Sequence, residues 1–161
     1  MLVVDITTRS PFKDLFPIRE NILNEIVKDI KENGFDKSRP IVLWRKCGLT
    51  VVDGHTRLRA AEIAKIKDIP TVMKDFPNER AALEYAIKCQ RNRRNLTDQE
   101  ILQCISELDK RKTKAEAGAL KGKKLAPCGA SSGKTSENTA QTLGISSRKV
   151  ERARAVLDKA S

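Results

Sequence analysis

The stretch VVDGHTRLRAAEIA, Val51 to Ala64, constrains this chain most. β-branched residues run up to Asp53, one glycine follows, and an alanine-rich helical pattern starts at once. A strand that passes into a helix through a single glycine leaves the first backbone N–H groups of the helix pointing outward. The helix dipole adds partial positive charge at that end. Gly54 lets the backbone turn and allows close approach. Thr56 offers a hydroxyl, and Arg57 and Arg59 carry planar donors that suit phosphate oxygens. His55 can hydrogen-bond an anion or carry a proton. The pattern suits a phosphate cradle. It also suits an ordinary strand–turn–helix joint, with two arginines on a solvated face and His55 a satisfied turn residue. Because Arg57 would sit in the first helical turn, where a cation costs the helix roughly 0.3–1 kcal/mol, Arg57→Ala is expected to leave stability unchanged or slightly raised.

The elements around this joint follow from periodicity. MLVVDITT reads as a short strand, and Asn24 to Asn33 as a helix with Gly34 as its left-handed cap. Pro40 to Trp44 and Leu49 to Asp53 read as two strands joined through RKCG. Arg57 to Lys65 reads as a helix and Ile69 to Lys74 as a further strand. From Glu79 two helical patterns follow, separated by Leu96-Thr97-Asp98, where Thr and Asp are good N-caps.

Charge divides the chain unevenly. Of the net charge of +11, residues 110–161 carry +9, from 13 basic and 4 acidic side chains. Such an excess points to a polyanion, with nucleic acid ahead of a membrane surface, because no basic segment has a wide apolar face with aromatic anchors. Cys47, Cys89, Cys104 and Cys128 form no C-x-x-C pair, and one histidine cannot complete a zinc site, so free thiols in a reducing cytosol are expected. No long apolar run or signal-peptide pattern is present, and the expected location is cytoplasmic, without membrane. The segment 113–134 concentrates glycine, serine, lysine and proline and reads as a flexible basic linker, its Lys121, Lys123, Lys124 and Lys134 giving non-specific affinity.

The last segment, ENTAQTLGISSRKVERARAVLDKA, has the spacing of a helix-turn-helix. Ala140 is small where two helices would cross, Gly144 suits the turn, and Ser146 can cap the second helix. Val150, Ala153 and Leu157 make one apolar stripe, with Arg148 and Arg152 opposite it. That arrangement would present Ser146, Ser147, Arg148, Lys149 and Arg152 to a major groove. A generic helical hairpin has the same spacing.

The run from Ser38 to Met73 closely resembles the N-terminal domain of the ParB partition-protein family, in which a helix ending in glycine leads to a Pro-Ile-Val strand, a hairpin and a G-E-R-R-x-R-A-A stretch. Here that stretch is Gly54-His55-Thr56-Arg57-Leu58-Arg59-Ala60-Ala61. The resemblance covers roughly residues 1–110. It implies that the turn holds the triphosphate of CTP, with magnesium, assisted by a downstream E-N-x-x-R motif. The matching residues are Cys89-Gln90-Arg91-Asn92-Arg93, so Arg93 takes the arginine's place while Cys89 and Gln90 replace the acid and the asparagine. A carboxylate is the natural hard ligand near magnesium, so these departures, with His55 and Thr56 in place of Glu-Arg, weaken the expectation of CTP hydrolysis more than that of binding. The bland alternative for Arg91 to Arg94 is a solvated basic helix end. Sulfiredoxin-like relatives need a cysteine in the turn, and this turn has none. Free-serine-kinase-like relatives share Asp53-Gly54-His55, which leaves a phosphotransfer or nuclease-type enzyme as the competing class, though no cluster of carboxylates supports a metal-dependent nuclease.

The expected fold is α+β: a small mixed-sheet ParB/sulfiredoxin-like domain at 1–112, the linker at 113–134, and an all-α helix-turn-helix segment at 135–161. That last segment looks truncated, since the resemblance implies further helices and a dimerisation domain after it. The resemblance further implies double-stranded DNA as partner, a homodimer, a partition ATPase, nucleoid or plasmid association, and a role in plasmid or chromosome partition or mobile-element regulation.

Overall fold

The computed structural model describes residues 1–111 and 133–160. Two compact units emerge, Met1–Ala86 and Ile87–Ser161. The architecture is α+β, with a small mixed sheet in the first unit and helices in the second.

In the first unit, β1 (Ile41–Trp44) lies between β2 (Thr50–Asp53) and β3 (Thr71–Lys74), antiparallel to the former and parallel to the latter. A 3₁₀ turn at Arg45–Cys47, closed by Gly48 at φ 61, makes the tight return from β1 to β2. The parallel return to β3 needs a crossover, which α2 (His55–Ile63) supplies. All four residues of β1 are buried, which explains why IVLW is uniformly apolar rather than alternating. Ile41 and Leu43 join Val51, Leu58, Ala61 and Ile69 in one core cluster. Trp44 meets Phe12 and Phe76 edge-on, with ring centroids at 6.5 and 5.9 Å.

The two alanines after Arg59 have a packing reason. Ala61 belongs to the sheet cluster, while Ala60 packs with Leu23, Val27 and Ile30 of α1 (Glu20–Asn33). Small side chains on adjoining faces let the sheet and α1 both approach α2 closely. The stripe Leu23, Val27, Ile30 is the buried face of α1. Gly34 has the expected positive φ of 79, and its N–H returns to the Ile30 carbonyl at 3.0 Å.

The N-terminal strand read from MLVVDITT is corrected. Val3–Asp5 forms a 3₁₀ turn, and only single bridges, Leu2 with Asp68 and Thr7 with Thr50, touch the neighbouring backbone. The N–H groups of Asp5 and Ile6 turn back to Leu2 and Val3 within the segment, so no ladder forms.

α3 (Glu79–Arg91) begins in the first unit and ends in the second. α4 (Asp98–Lys110) starts with a capping box, as Leu96-Thr97-Asp98 suggested: Glu100 N donates to Thr97 Oγ1, and Thr97 N to Glu100 Oε2. α5 (Gly133–Leu143) and α6 (Ser147–Ala160) follow, and α6 packs on both α4 and α5. Buried Ile101, Ile105 and Leu108 of α4 and Val150 and Ala153 of α6 supply the apolar contribution of this unit. The expected linker, with Lys121, Lys123, Lys124 and Cys128, lies outside the described residues except for 133–134, whose backbone opens α5. Cys47, Cys89 and Cys104 are free thiols, and burial pushes the Cys104 thiol up to about 12, which makes it inert. No helix among the described residues is long and apolar enough to cross a membrane.

Candidate functional site

The Gly54 turn has the backbone its sequence required. Gly54 is the N-cap of α2 at φ 105, a left-handed value that favours glycine, and no side chain caps the helix start. The turn is also tight. A Cβ on Gly54 would lie 3.2 Å from Ile41 Cγ1 and 3.1 Å from Arg57 Nη2.

Each side chain of the turn takes a distinct place. Asp53 is buried at the end of β2. Arg57 folds inward, with Nη2 donating to the Pro40 carbonyl at 3.3 Å and to Asp53 Oδ2 at 3.4 Å. This corrects the stability expectation from sequence, because Arg57 holds a buried carboxylate as well as lying in a helical first turn. Thr56 is half-buried. Arg59 is exposed and pairs with Glu62 at 2.9 Å, a surface contact that contributes little to stability. Of the two arginines in the turn, Arg59 is therefore the one that faces solvent. Arg93 lies in the second unit, beyond the end of α3, and is exposed.

His55 is half-buried, and its Nε2 is enclosed with no hydrogen-bond partner. Burial lowers its pKa from 6.5 to about 4, against the opposing pull of Asp53 and Asp14, so the ring is neutral at pH 7. The folded ring binds its proton less readily than the unfolded one. Between pH 6.5 and about 4 the unfolded chain takes up that proton first, so stability is expected to fall as pH drops through this window. The loss should reach roughly 3 kcal/mol at most. Acid titration of the parent and of His55→Asn, followed by Trp44 fluorescence, checks it; identical curves would exclude the buried imidazole as the cause.

The helix pair of the second unit has the turn anticipated for it. Gly144 sits at φ 69, and Ile145 N–H returns to the Ala140 carbonyl at 3.1 Å, as in a glycine-terminated helix. Ser146 caps α6 through Lys149 N–H at 3.3 Å. Val150 and Ala153 are buried, whereas Arg148, Lys149 and Arg152 are exposed and Ser147 is half-buried. Lys149 reaches the exposed Asp98 at 2.7 Å.

Two arginines make contacts that the sequence does not announce. Arg154 donates twice to Asp109 of α4, both at 2.8 Å, and also to Ser136 and Thr139 of α5, so it ties three helices together. The available signal was its position beside the apolar stripe of Val150, Ala153 and Leu157, where a basic residue needs a partner. Arg91, taken as part of a basic helix end, reaches the end of α5. Elsewhere on α4, burial tends to raise the Glu100 carboxyl but is outweighed by hydrogen bonds from Arg94 and Thr97, leaving its pKa below the ordinary value. Among the described residues no group of three or more His, Cys, Asp or Glu side chains is arranged to hold a metal ion.

The model of the ParB N-terminal domain matches residues 1–89. No curated protein matches the sequence. Among solved structures, the chain is similar to a pNOB8-like ParB N-domain, with a TM-score of 0.68 and 19% identity over 95% of this chain and 66% of that one. It is also similar to the C-terminally truncated chromosome-partitioning protein ParB from Caulobacter crescentus bound to the centromeric parS site, with a TM-score of 0.57, 21% identity, and coverage of 97% and 70%. The same Caulobacter protein complexed with CTP-γ-S gives a TM-score of 0.50 and 23% identity, over 98% of this chain and 76% of that one. The chain thus spans about two thirds of the length of the first of these relatives.

Proposed function

The chain belongs to the ParB family by its N-terminal domain, and from that premise we propose that it is a DNA-binding protein of the partition type, acting on a plasmid, a chromosome or a mobile element. The observation that carries the proposal is the α5–Gly144–α6 pair. It buries Val150 and Ala153 and leaves Arg148 and Arg152 to solvent, in a chain with this N-terminal domain. In this reading, α6 enters the major groove of double-stranded DNA, with Arg148 and Arg152 at base edges and Lys149, Ser146 and Ser147 at the backbone. The functional division follows the sequence: residues 1–112 respond to a nucleotide, 113–134 link, and 135–161 read DNA.

The second part of the proposal concerns the Gly54 turn. An uncapped helix start behind a left-handed glycine suits a phosphate-bearing ligand, with Thr56 and Arg59 beside it. CTP is the nucleotide proposed, because a similar ParB was solved with CTP-γ-S. The residues present fit phosphates better than magnesium, since Cys89 stands where the family motif has its acid. Nucleotide binding would change how two N-terminal domains of a homodimer associate, and a partition ATPase would be the further partner. A phosphotransfer or nuclease role is less well supported: Asp53 is buried and held by Arg57, and His55 Nε2 is enclosed.

The test is a gel-shift titration at fixed salt. Changing both Arg148 and Arg152 to alanine should leave the fold intact and weaken binding to the preferred duplex, with each lost base contact costing about 1–3 kcal/mol. Unchanged affinity would defeat the assignment of α6. Calorimetric titration of the parent with the four nucleoside triphosphates tests the second part separately.

A further inference from the structure

Arg91 is the last residue of α3, and its side chain does not run out into solvent as a basic helix end would. Its Nη1 donates to the Gln141 carbonyl at 2.8 Å and to the Thr142 carbonyl at 3.1 Å. Both carbonyls belong to the last turn of α5, where a helix has no internal donors left for its own C=O groups. They also form the negative end of the helix dipole, which a guanidinium complements. Bonds of this kind are charge-assisted and stronger than neutral ones.

Gly144 takes part in the same contact. A Cβ there would fall 2.9 Å from Arg91 Cδ and 3.3 Å from Arg91 Nη1. The residue therefore serves two needs, a left-handed turn at φ 69 and a surface bare enough for the arginine stem to cross. The turn between α5 and α6 is thus fixed from outside the pair, by a side chain 50 residues earlier in the chain.

We infer that Arg91 is a positioning residue for DNA recognition: it holds the α5–α6 turn, and so sets the angle at which α6 presents Arg148 and Arg152. The inference rests on the DNA-binding reading of α6. It separates Arg91 from its neighbours in the basic run RNRR, for which direct contact with a phosphate is the alternative role. The two roles differ in what they leave behind. A phosphate contact supplies affinity for any duplex and contributes to the salt dependence. A positioning contact supplies discrimination between duplexes, because only base-edge contacts depend on the angle of the helix.

The experiment uses the full chain and two probes: a duplex selected by the parent chain from a random library, and an unrelated duplex of equal length. Arg91→Met keeps the apolar stem and removes the donors. It should narrow the ratio of the two affinities by about tenfold, comparable to one spoiled base contact. The slope of log affinity against log salt should stay as in the parent. A slope shallower by about 0.9 would instead assign Arg91 to a phosphate and overturn the inference. Equal losses on both duplexes, or no loss, would overturn it too. Arg91→Lys decides the matter if Arg91→Met fails to fold. It keeps the charge but not the planar group that serves both carbonyls, so discrimination should still narrow, and full parental discrimination would sink the idea. If the parent chain binds neither duplex, the DNA reading itself falls and this inference with it. If the parent discriminates and the variants discriminate equally well, only the positioning role is lost.

Discussion

Replacing Gly54 by valine is expected to lower the stability of the Met1–Ala86 unit by about 2–6 kcal/mol and to abolish the phosphate binding proposed for the turn. Two independent costs contribute, each about 1–3 kcal/mol. One is the left-handed backbone at φ 105, which a β-branched residue adopts only under strain. The other is overpacking, because the new Cβ would meet Ile41 at 3.2 Å, and Ile41 belongs to the fully buried central strand. The Arg57 guanidinium, 3.1 Å from that Cβ, would also be pushed from Asp53. Gly54→Ala should show the backbone cost with a smaller steric part. Urea denaturation followed through Trp44, the chain's only tryptophan and buried in this unit, reads the effect. A Gly54→Val chain within about 0.5 kcal/mol of the parent would mean that the turn relaxes freely and that neither cost applies.

What the sequence revealed and what it hid have separate physical reasons. β1 and β2 were legible because IVLW and TVVD are short, β-branched and separated by a glycine-containing turn. The helix pair at the C-terminal end was legible because Gly144, Ser146 and the stripe through Val150 and Ala153 are local signals. The residues 1–7 misled, since an apolar run of strand length found only single bridging partners at Asp68 and Thr50. Long-range polar contacts were the least legible. Arg91 finds its carbonyls 50 and 51 residues away, and Arg154 finds Asp109 at a separation of 45. No periodicity announces such partners. At the Gly54 turn the residue types pointed to an anion cradle, but the direction in which each arginine turns depended on burial. Asp53 is enclosed at the end of β2 and draws Arg57 inward, while Arg59, two residues on, stays at the surface with Glu62.

That inward turn reverses the expected effect of Arg57→Ala, which should cost about 3 kcal/mol rather than nothing. Two opposing effects decide the sign. Removing a cation from the first turn of α2 relieves roughly 0.3–1 kcal/mol of unfavourable dipole interaction. Removing one charged partner of a buried carboxylate costs about 3–5 kcal/mol. Asp53 is only 2% exposed and Arg57 17%, so the larger range applies, and the 3.4 Å separation places the cost at its lower end. The loss of Arg57 as a donor to the Pro40 carbonyl adds to it, at the residue that leads into β1. Charge is the proposed cause, so Asp53→Asn should restore part of the loss in the Arg57→Ala background, because a neutral amide does not need the cation. A double-mutant cycle between the two positions should give a coupling of at least about 1 kcal/mol. Additive single effects would show that the pair does not hold the joint. The same variants bear on ligand binding. If Arg57 serves only to hold the fold at Asp53 and Pro40, Arg57→Ala chains that remain folded at low temperature should bind CTP or pyrophosphate as the parent does. If the guanidinium also reaches a bound phosphate, binding should be lost while Arg59→Ala, at the surface, weakens it only in part. Either outcome fixes what the strand's abrupt ending at Gly54 is for: the first makes Arg57 a brace for Asp53, and the second makes the joint an anion site with its cation held in reserve.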